Sequence, residues 1–233
     1  MLILFDIDGT ILRTQGVGLQ AMERAGREVV VPHFSLEGVP SAGRLDPLIY
    51  RDGAAKAKVD DPDKYHDRFR ERYGVELNAM FEGGSPVTIM PGIHELLEAL
   101  GRVDGMTIAL LTGNYPETGR MKIAAGGVDP DQFVFGAWGI DGPSRRDLTP
   151  VAMKRYRDLT GADITGERVI VIGDTPHDID CARAHGCRAL AVATGGSTMQ
   201  ELESHAPDLL MENLADTEGV LRWLLDGAAV ARR

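Results

Sequence analysis

The sequence predicts an α/β fold, a doubly wound parallel sheet with helices on both faces, into which a small helical domain is inserted. Short apolar runs without polar alternation recur along the chain and suit strands that are buried on both faces. Helical patterns lie between these runs, and this alternation is typical of a doubly wound sheet. A long polar stretch without any strand-like run follows the first strand and predicts the insertion.

The elements of the predicted sheet domain alternate along the chain. Strands are predicted at residues 2–5, 107–111, 133–135, 169–172, 189–193 and 209–211. Helices are predicted at residues 93–102, 117–125, 151–159, 178–185, 199–205 and 215–225. The strand-like runs end in small or polar residues, which favour the turns between elements.

The inserted domain is predicted at residues 14–85. Its apolar residues recur at helical spacing in three groups, namely Leu19, Met22 and Ala25; Leu48, Ile49 and Ala55; and Tyr65, Phe69 and Tyr73. The aromatic group is expected to form part of that domain's core. Proline and glycine clusters at 83–86 and 91–92 mark the return to the sheet. The sheet domain is therefore predicted at residues 1–13 and 86–233.

Composition and charge exclude several classes of partner. The 233-residue chain carries a net charge of −10 and has no basic run, which argues against non-specific binding to nucleic acid or to an anionic membrane. No apolar run approaches the length of a membrane span. The two cysteines form neither a disulfide framework nor a metal-binding spacing, so a cytoplasmic location is expected.

Polar side chains follow three of the predicted strands. They are Asp6 and Asp8 after the first strand, Thr112, Gly113 and Asn114 after strand 107–111, and Asp174 and Asp178 after strand 169–172. In an open α/β sheet, ligands bind at the carboxyl ends of the strands. These side chains are therefore expected to line one crevice.

The residue types in this crevice indicate a particular chemistry. Four carboxylates placed together repel one another unless a cation lies among them, and all-oxygen ligands suit a hard ion such as Mg²⁺. Hydroxyl groups, backbone amides and an arginine suit the oxygens of a phosphate. The pattern therefore predicts metal-assisted phosphoryl transfer with a carboxylate as the nucleophile.

Three segments resemble signature motifs of the haloacid-dehalogenase-like hydrolases. LFDIDGTIL, LLTGN and VIGDTPHDIDCARAHG are similar to the first, second and fourth motifs of that family, in the same order and with similar spacing. The resemblance covers the sheet domain from Met1 to about Gly196. It implies a core sheet domain, an inserted cap domain and a Mg²⁺ cofactor.

The resemblance also implies roles for individual residues. Asp6 is expected to be the nucleophile that forms an aspartyl-phosphate, and Asp8 the general acid and base. Mg²⁺ is expected to bind the Asp6 carboxylate, the Asp8 backbone carbonyl and Asp174. Asp178 is either a further ligand or the first-turn acid of the following helix.

Other motif residues are expected to hold the phosphoryl group. Thr112 and the backbone amides around Gly113 and Asn114 are the predicted phosphate ligands. Gly9 is expected to let the chain turn sharply after the two acids, where a Cβ atom would obstruct the backbone.

The third motif departs from the common family pattern, which carries a lysine. The corresponding segment here reads SRRDLTPVAMKRY, and the expected position falls at Arg145 or Arg146. We predict Arg145, with Arg146 as the alternative. Arginine can neutralise a carboxylate and a phosphate as a bidentate fork, although it is not equivalent to lysine.

The insertion resembles the helical cap that follows the first motif in this family. In the segment SAGRLDP, Arg44 is a candidate for reading an anionic substrate, and the alternative is that Arg44 and Asp46 only cap and solvate a helix. We predict a Mg²⁺-dependent phosphatase for a small phosphomonoester, of the phosphoglycolate-phosphatase-like kind. A phosphomutase of the β-phosphoglucomutase type and a low-turnover binding protein are the alternatives.

Overall fold

The computed structural model describes the backbone of residues 1–230 and the side chains of residues 1–226. The last three positions of the predicted sheet domain, 231–233, lie outside the described residues. The strands are β1 (Leu2–Phe5), β2 (Leu12–Arg13), β3 (Thr88–Ile89), β4 (Thr107–Leu111), β5 (Gly136–Ala137), β6 (Val169–Gly173), β7 (Arg188–Val192) and β8 (Leu209–Met211). The helices are α1 (Val17–Val29), α2 (Asp46–Lys56), α3 (Asp63–Glu82), α4 (Ile93–Gly101), α5 (Pro116–Ala125), α6 (Leu148–Thr160), α7 (Pro176–Arg183), α8 (Met199–Ser204) and α9 (Thr217–Val230).

Six strands form a parallel sheet in the order β5-β4-β1-β6-β7-β8. Strand β1 lies at the centre, and alternate side chains of this strand enter different core clusters because successive residues of a strand point to opposite faces. Helices α4, α5 and α9 contribute to the cluster on one face, and α6, α7 and α8 to the other. This is the doubly wound α/β fold that the apolar runs predict.

The inserted segment folds as three helices, α1, α2 and α3, with a core of its own. Phe69 and Tyr73 are buried in that core, whereas Tyr65 is partly exposed. Strands β2 and β3, which join the insertion to the sheet domain, pair with each other in antiparallel fashion. The two segments that connect the insertion to the sheet domain therefore run side by side.

Two details of the sheet differ from the prediction. The strand expected at 133–135 is observed at Gly136–Ala137, where it pairs with the end of β4. Phe133 instead follows a 3-10 turn and packs edge-on against Phe5, and Val134 is 55% exposed, as an edge position allows. The ribbon of β2 and β3 was not predicted, because strands of two residues carry no periodicity. Within residues 1–230, none of the helices combines the length and the apolar character needed to cross a membrane.

Candidate active site

The carboxyl ends of three central strands meet at one edge of the sheet. Asp6 follows β1, Thr112 follows β4 and Asp174 follows β6, and all three residues are buried. They line a cavity of about 490 Å³ between the sheet domain and the helical insertion. Leu19, Met22, Ile49 and Tyr73 form an apolar part of the opposite wall. The insertion therefore covers the motif residues as a cap.

Three acidic side chains form a cluster on the floor of this cavity. Oxygen atoms of Asp6, Asp174 and Asp178 all lie within 4.8 Å of one another, and all three residues are buried. Burial is the main cause that raises the pKa of Asp6 to about 6 and that of Asp174 to about 8; neighbouring carboxylates add to this shift, and Arg145 opposes it. A hard cation among these oxygens removes this repulsion, so the residues present fit Mg²⁺.

Asp178 is already engaged through both of its carboxylate oxygens. Its Oδ2 accepts hydrogen bonds from the backbone N–H of Thr175 at 3.0 Å and from Thr175 Oγ1 at 2.7 Å, which makes it the acid of a capping box at the start of α7. Its Oδ1 accepts a hydrogen bond of 2.5 Å from Arg145 Nη2. Of the two interpretations of Asp178, these contacts favour the first-turn acid, although it lies close enough to share a cation.

Arg145 lies against the acidic cluster, whereas Arg146 does not. Arg145 is buried, and its Nη2 lies 2.9 Å from Asp6 Oδ1. Arg146 is exposed and pairs with Asp180 on the surface. Burial alone lowers the pKa of Arg145, but Asp178 and Asp6 raise it by more, so the guanidinium stays charged. A 3-10 turn over Arg145–Asp147 sets which of the two adjacent arginines points inward.

Asp8 is turned away from the acidic cluster. Its side chain is 42% exposed and pairs with Lys122, whose Nζ lies 2.9 Å from Asp8 Oδ1 and 2.7 Å from Oδ2. Asn114 Nδ2 donates a further hydrogen bond of 2.8 Å to Asp8 Oδ2. The two aspartates of the first motif thus have different cationic partners, Arg145 for Asp6 and Lys122 for Asp8.

Sequence reasoning missed Lys122, which lies on α5 eight residues after Asn114. It is buried, and Thr118, Gly119 and Ile123 of the same helix are buried with it. Burial alone lowers the pKa of Lys122, but Asp8, Tyr73 and Asp46 raise it by more. The available signal was the spacing of Thr118 and Lys122 on the helix that follows the second motif. Residues four positions apart lie on the same side of a helix, so Lys122 is expected to point inward with Thr118.

The backbone of the cap segment 44–46 packs directly against the backbone of Gly113 in the second motif. The carbonyl of Gly113 accepts a hydrogen bond of 2.7 Å from the backbone N–H of Asp46. A Cβ atom at Gly113 would lie 2.0 Å from the carbonyl oxygen of Arg44, so only glycine fits here. Gly113 therefore serves the contact between the cap and the core, besides any role at a phosphate.

The other predicted phosphate ligands are near one another. Thr112 Oγ1 accepts a hydrogen bond of 2.9 Å from Asn114 Nδ2. Gly9 has a φ of +87°, and a Cβ atom there would lie 2.5 Å from Asp174 Oδ2. The sharp turn predicted at Gly9 is thus accompanied by a close approach to the acidic cluster.

Two charged residues of the cap lie at the cavity wall. Arg44 lines the cavity, but its Nη2 pairs with Asp52 Oδ2 at 2.8 Å, so its charge is already balanced. Asp46, which the alternative interpretation of this segment places at the start of a helix, is buried in the first turn of α2 and accepts a hydrogen bond of 3.0 Å from the backbone N–H of Tyr115. Burial raises its pKa to about 7, although Lys122 opposes this shift.

These features define a class of protein, an α/β enzyme with a cation-balanced carboxylate site beneath a helical cap. A family model described as haloacid dehalogenase-like hydrolase matches residues 1–186, so the chain belongs to that hydrolase family.

Relatives and solved structures agree with this assignment. A protein named probable phosphatase IndB, from Dickeya dadantii (strain 3937), is 25% identical over 226 residues, which cover 96% of this chain and 94% of that protein. A phosphoglycolate phosphatase from Pseudomonas putida is 24% identical over 237 residues, covering 98% of this chain and 79% of that protein. The crystal structure of a predicted phosphoglycolate phosphatase from Haemophilus somnus 129PT matches with a TM-score of 0.70 at 20% identity, covering 94% of this chain and 97% of that chain. At this identity the structural match supports the fold.

Proposed function

We propose that this hydrolase is a Mg²⁺-dependent phosphatase that cleaves a small phosphomonoester through an aspartyl-phosphate on Asp6. The observation that carries the proposal is the separation of the two acids of the first motif. Asp6 is buried beside Arg145, and Asp8 is turned toward Lys122 and Asn114 at the edge of the same cavity. A nucleophile and a proton-transfer group need different surroundings of this kind.

In the proposed reaction, an Asp6 carboxylate oxygen attacks the phosphorus of the ester. The bond between phosphorus and the ester oxygen breaks, and Asp8 gives its proton to that oxygen, so that an alcohol leaves. Asp8 then takes a proton from a water molecule whose oxygen attacks the phosphorus of the aspartyl-phosphate. Inorganic phosphate leaves, and Asp6 returns to a carboxylate.

The charged groups around Asp6 support phosphoryl transfer. Arg145 is held by Asp178 and lies close enough to Asp6 to stabilise negative charge that develops on the phosphoryl oxygens. Its Nε atom is buried and has no hydrogen-bond partner among the described residues. We assign the Mg²⁺ ligands to the Asp6 carboxylate, the Asp8 backbone carbonyl and Asp174. When bound, the ion neutralises the negative charge of the carboxylates and of the phosphoryl group.

The cap supports a small substrate. The cavity of about 490 Å³ is bounded by cap residues and by the motif residues. Burial of the reacting groups in such a cavity excludes competing water and strengthens their electrostatic interactions. The phosphatase names of the relatives favour a phosphomonoester, with phosphoglycolate as the first to test. A cytoplasmic location is part of the proposal.

A panel of phosphomonoesters with and without Mg²⁺ tests this function. It includes phosphoglycolate, sugar phosphates, nucleotides and p-nitrophenyl phosphate, and both inorganic phosphate and organic products are analysed. We expect Mg²⁺-dependent release of phosphate. An isomerised sugar phosphate without phosphate release would indicate a phosphomutase, and no turnover of any ester would indicate a binding protein.

A further inference from the structure

All three N–H donors of the Lys122 ammonium group form hydrogen bonds within the site. Its ammonium group donates to Asp8 Oδ1 at 2.9 Å, to Asp8 Oδ2 at 2.7 Å and to Asn114 Oδ1 at 2.6 Å. Asn114 in turn donates to Asp8, so the three side chains form a closed network. The two oxygens of Asp8 are thus held from one side by a lysine that is 5% exposed.

The cap covers this lysine. A Cβ atom on Gly18 of α1 would lie 3.3 Å from Lys122 Nζ and 3.4 Å from both Lys122 Cε and the Tyr73 hydroxyl. The cap helix therefore passes directly over the ammonium group. Burial of a charged lysine is costly unless its partners compensate, and Asp8 is the main compensating partner here, with Tyr73 and Asp46 adding to it.

The cations are divided between the two acids. Arg145 forms ion pairs with Asp6 and Asp178, and neither of these ion pairs involves Asp8. Lys122 contacts Asp8, and its hydrogen bonds to described residues do not reach Asp6. The second acid of the first motif therefore has a buried cation of its own.

We propose that Lys122 is a positioning residue that holds Asp8 in the orientation from which it transfers a proton. This inference rests on the proposed function. In the first half-reaction, the proton moves from the Asp8 carboxyl to the ester oxygen as the P–O bond breaks. In the second half-reaction, a proton moves from water to Asp8. Lys122 keeps its own protons in both half-reactions and acts only through the position of Asp8.

This role predicts an effect that depends on the leaving group. A nitrophenolate leaves without protonation, whereas an alkoxide from an alkyl ester needs the proton of Asp8. Loss of Lys122 should therefore slow the phosphorylation of Asp6 by an alkyl phosphate and spare its phosphorylation by p-nitrophenyl phosphate. Dephosphorylation needs Asp8 as a base with either substrate, so it should become slow for both.

Rapid-mixing kinetics on Lys122→Met test the proposal, since methionine keeps much of the side chain's length without its charge. With p-nitrophenyl phosphate, we expect a burst of about one nitrophenolate per active site followed by a slow steady rate. With the best alkyl ester of the panel, we expect single-turnover phosphorylation to fall on the order of 10²-fold, the usual size of a general-acid contribution. The Kd of the ester, taken from the concentration dependence of the single-turnover rate, should change little, whereas KM for p-nitrophenyl phosphate should fall together with kcat because dephosphorylation limits the steady rate. The control is Lys154→Met, which removes an exposed lysine that pairs with Asp158 outside the site.

Two outcomes overturn the proposal. Equal loss of phosphorylation with both esters, without a burst, would show that Lys122 acts on the nucleophile, the phosphate or the fold. Unchanged kinetics in Lys122→Met would show that Asp8 does not need the lysine. If no ester is turned over by the wild-type enzyme, the proposed function itself fails, and that result is distinct from both.

A second variant covers the case in which Lys122→Met does not fold. Asp8→Asn and the double variant Asp8→Asn/Lys122→Met are compared in melting temperature and rate. The double variant removes both charges and leaves no unpaired carboxylate at residue 8. If Lys122 acts through Asp8, its removal should cost less than about threefold once Asp8 is absent, because effects of residues that act as a unit are not additive. A full further loss in the double variant would overturn the proposal.

Discussion

Arg145 Nη2 lies 2.9 Å from Asp6 Oδ1, and both side chains are buried. The same Nη2 donates to Asp178 Oδ1, and Asp178 is held in turn by the capping box at the start of α7. The guanidinium is therefore fixed by the protein before any substrate binds. A charge that needs no rearrangement during the reaction is the kind that stabilises a transition state most effectively.

Replacement of Arg145 by alanine should lower kcat by about 10²–10³-fold, because the variant loses a preorganised positive charge beside the phosphoryl group. Steady-state kinetics with p-nitrophenyl phosphate and Mg²⁺ measure this loss. Arg146→Ala is a matched control, since Arg146 is the adjacent arginine and pairs only with the surface residue Asp180. Its kcat should stay within about twofold of the wild type. The opposite ranking of the two variants would assign the third motif to Arg146.

Asp6→Asn should abolish turnover and leave the fold intact, because the amide is close to the carboxylate in size but cannot attack the phosphorus. The variant should melt at or above the wild-type temperature without Mg²⁺, since burial already raises the pKa of Asp6 to about 6 and makes its charge unfavourable. Phosphate release and melting curves are the two measurements. Sustained multiple turnover by a preparation verified as Asp6→Asn by mass spectrometry would exclude Asp6 as the nucleophile.

Saturating Mg²⁺ should raise the melting temperature of the wild-type protein by roughly 5–10 °C, because an ion that binds only the folded state stabilises it by mass action. EDTA should reverse the shift and stop turnover. Asp174→Asn should show a much smaller shift, since it removes a proposed ligand from the buried acidic cluster. Asp180→Asn is the control. It changes a surface acid on α7, the helix that follows Asp174, and should keep the full shift. An equal shift in both variants would place the ion elsewhere.

Asp46→Asn should stabilise the protein increasingly as pH rises from about 4 to about 7. The pKa of Asp46 is raised by burial from 3.8 to about 7, so the folded state binds a proton that the unfolded state has already released in this range. Stability from the neutral form is full below 3.8 and is lost as pH rises through about 7. The variant keeps an oxygen acceptor for Tyr115 and escapes this loss, which is at most about 4 kcal/mol.

Urea denaturation at several pH values measures this difference. The free energy of unfolding of Asp46→Asn minus that of the wild type should grow with pH and level off above about 7. Asp60→Asn, at an exposed position in the same domain, is the control and should show little change. A difference that does not vary with pH would mean that Asp46 is charged in the folded protein throughout this range.

The sequence was sufficient to predict the fold class and the location of the main motif residues. Buried parallel strands read as apolar runs, and Asp6, Thr112 and Asp174 follow directly where those strands end. Their positions depend on local sequence and on the topology of the sheet, both of which a motif records. The shift from the predicted strand at 133–135 to Gly136–Ala137 shows the limit, because two small residues carry no strand signal.

Other parts of the site depend on tertiary packing. Lys122 reaches Asp8 only because α5 packs beside the end of β1, and its pairing spans 114 positions in the sequence. Arg44 was a candidate for reading the substrate, but the cap places Asp52 within 2.8 Å of its guanidinium. Such pairings link side chains on different elements, and neither periodicity nor motif spacing specifies them.

The loop of the cap that carries Gly43 is tied to the cation on the floor of the cavity. Arg145 Nη1 donates to the carbonyl oxygen of Gly43 at 3.3 Å. A Cβ atom at residue 43 would lie 2.6 Å from a ring carbon of His177 and 2.8 Å from Thr175 Oγ1, so the loop comes this close to the start of α7 only with glycine there. One glycine of the cap thus sets how closely the covering domain approaches the guanidinium beside Asp6.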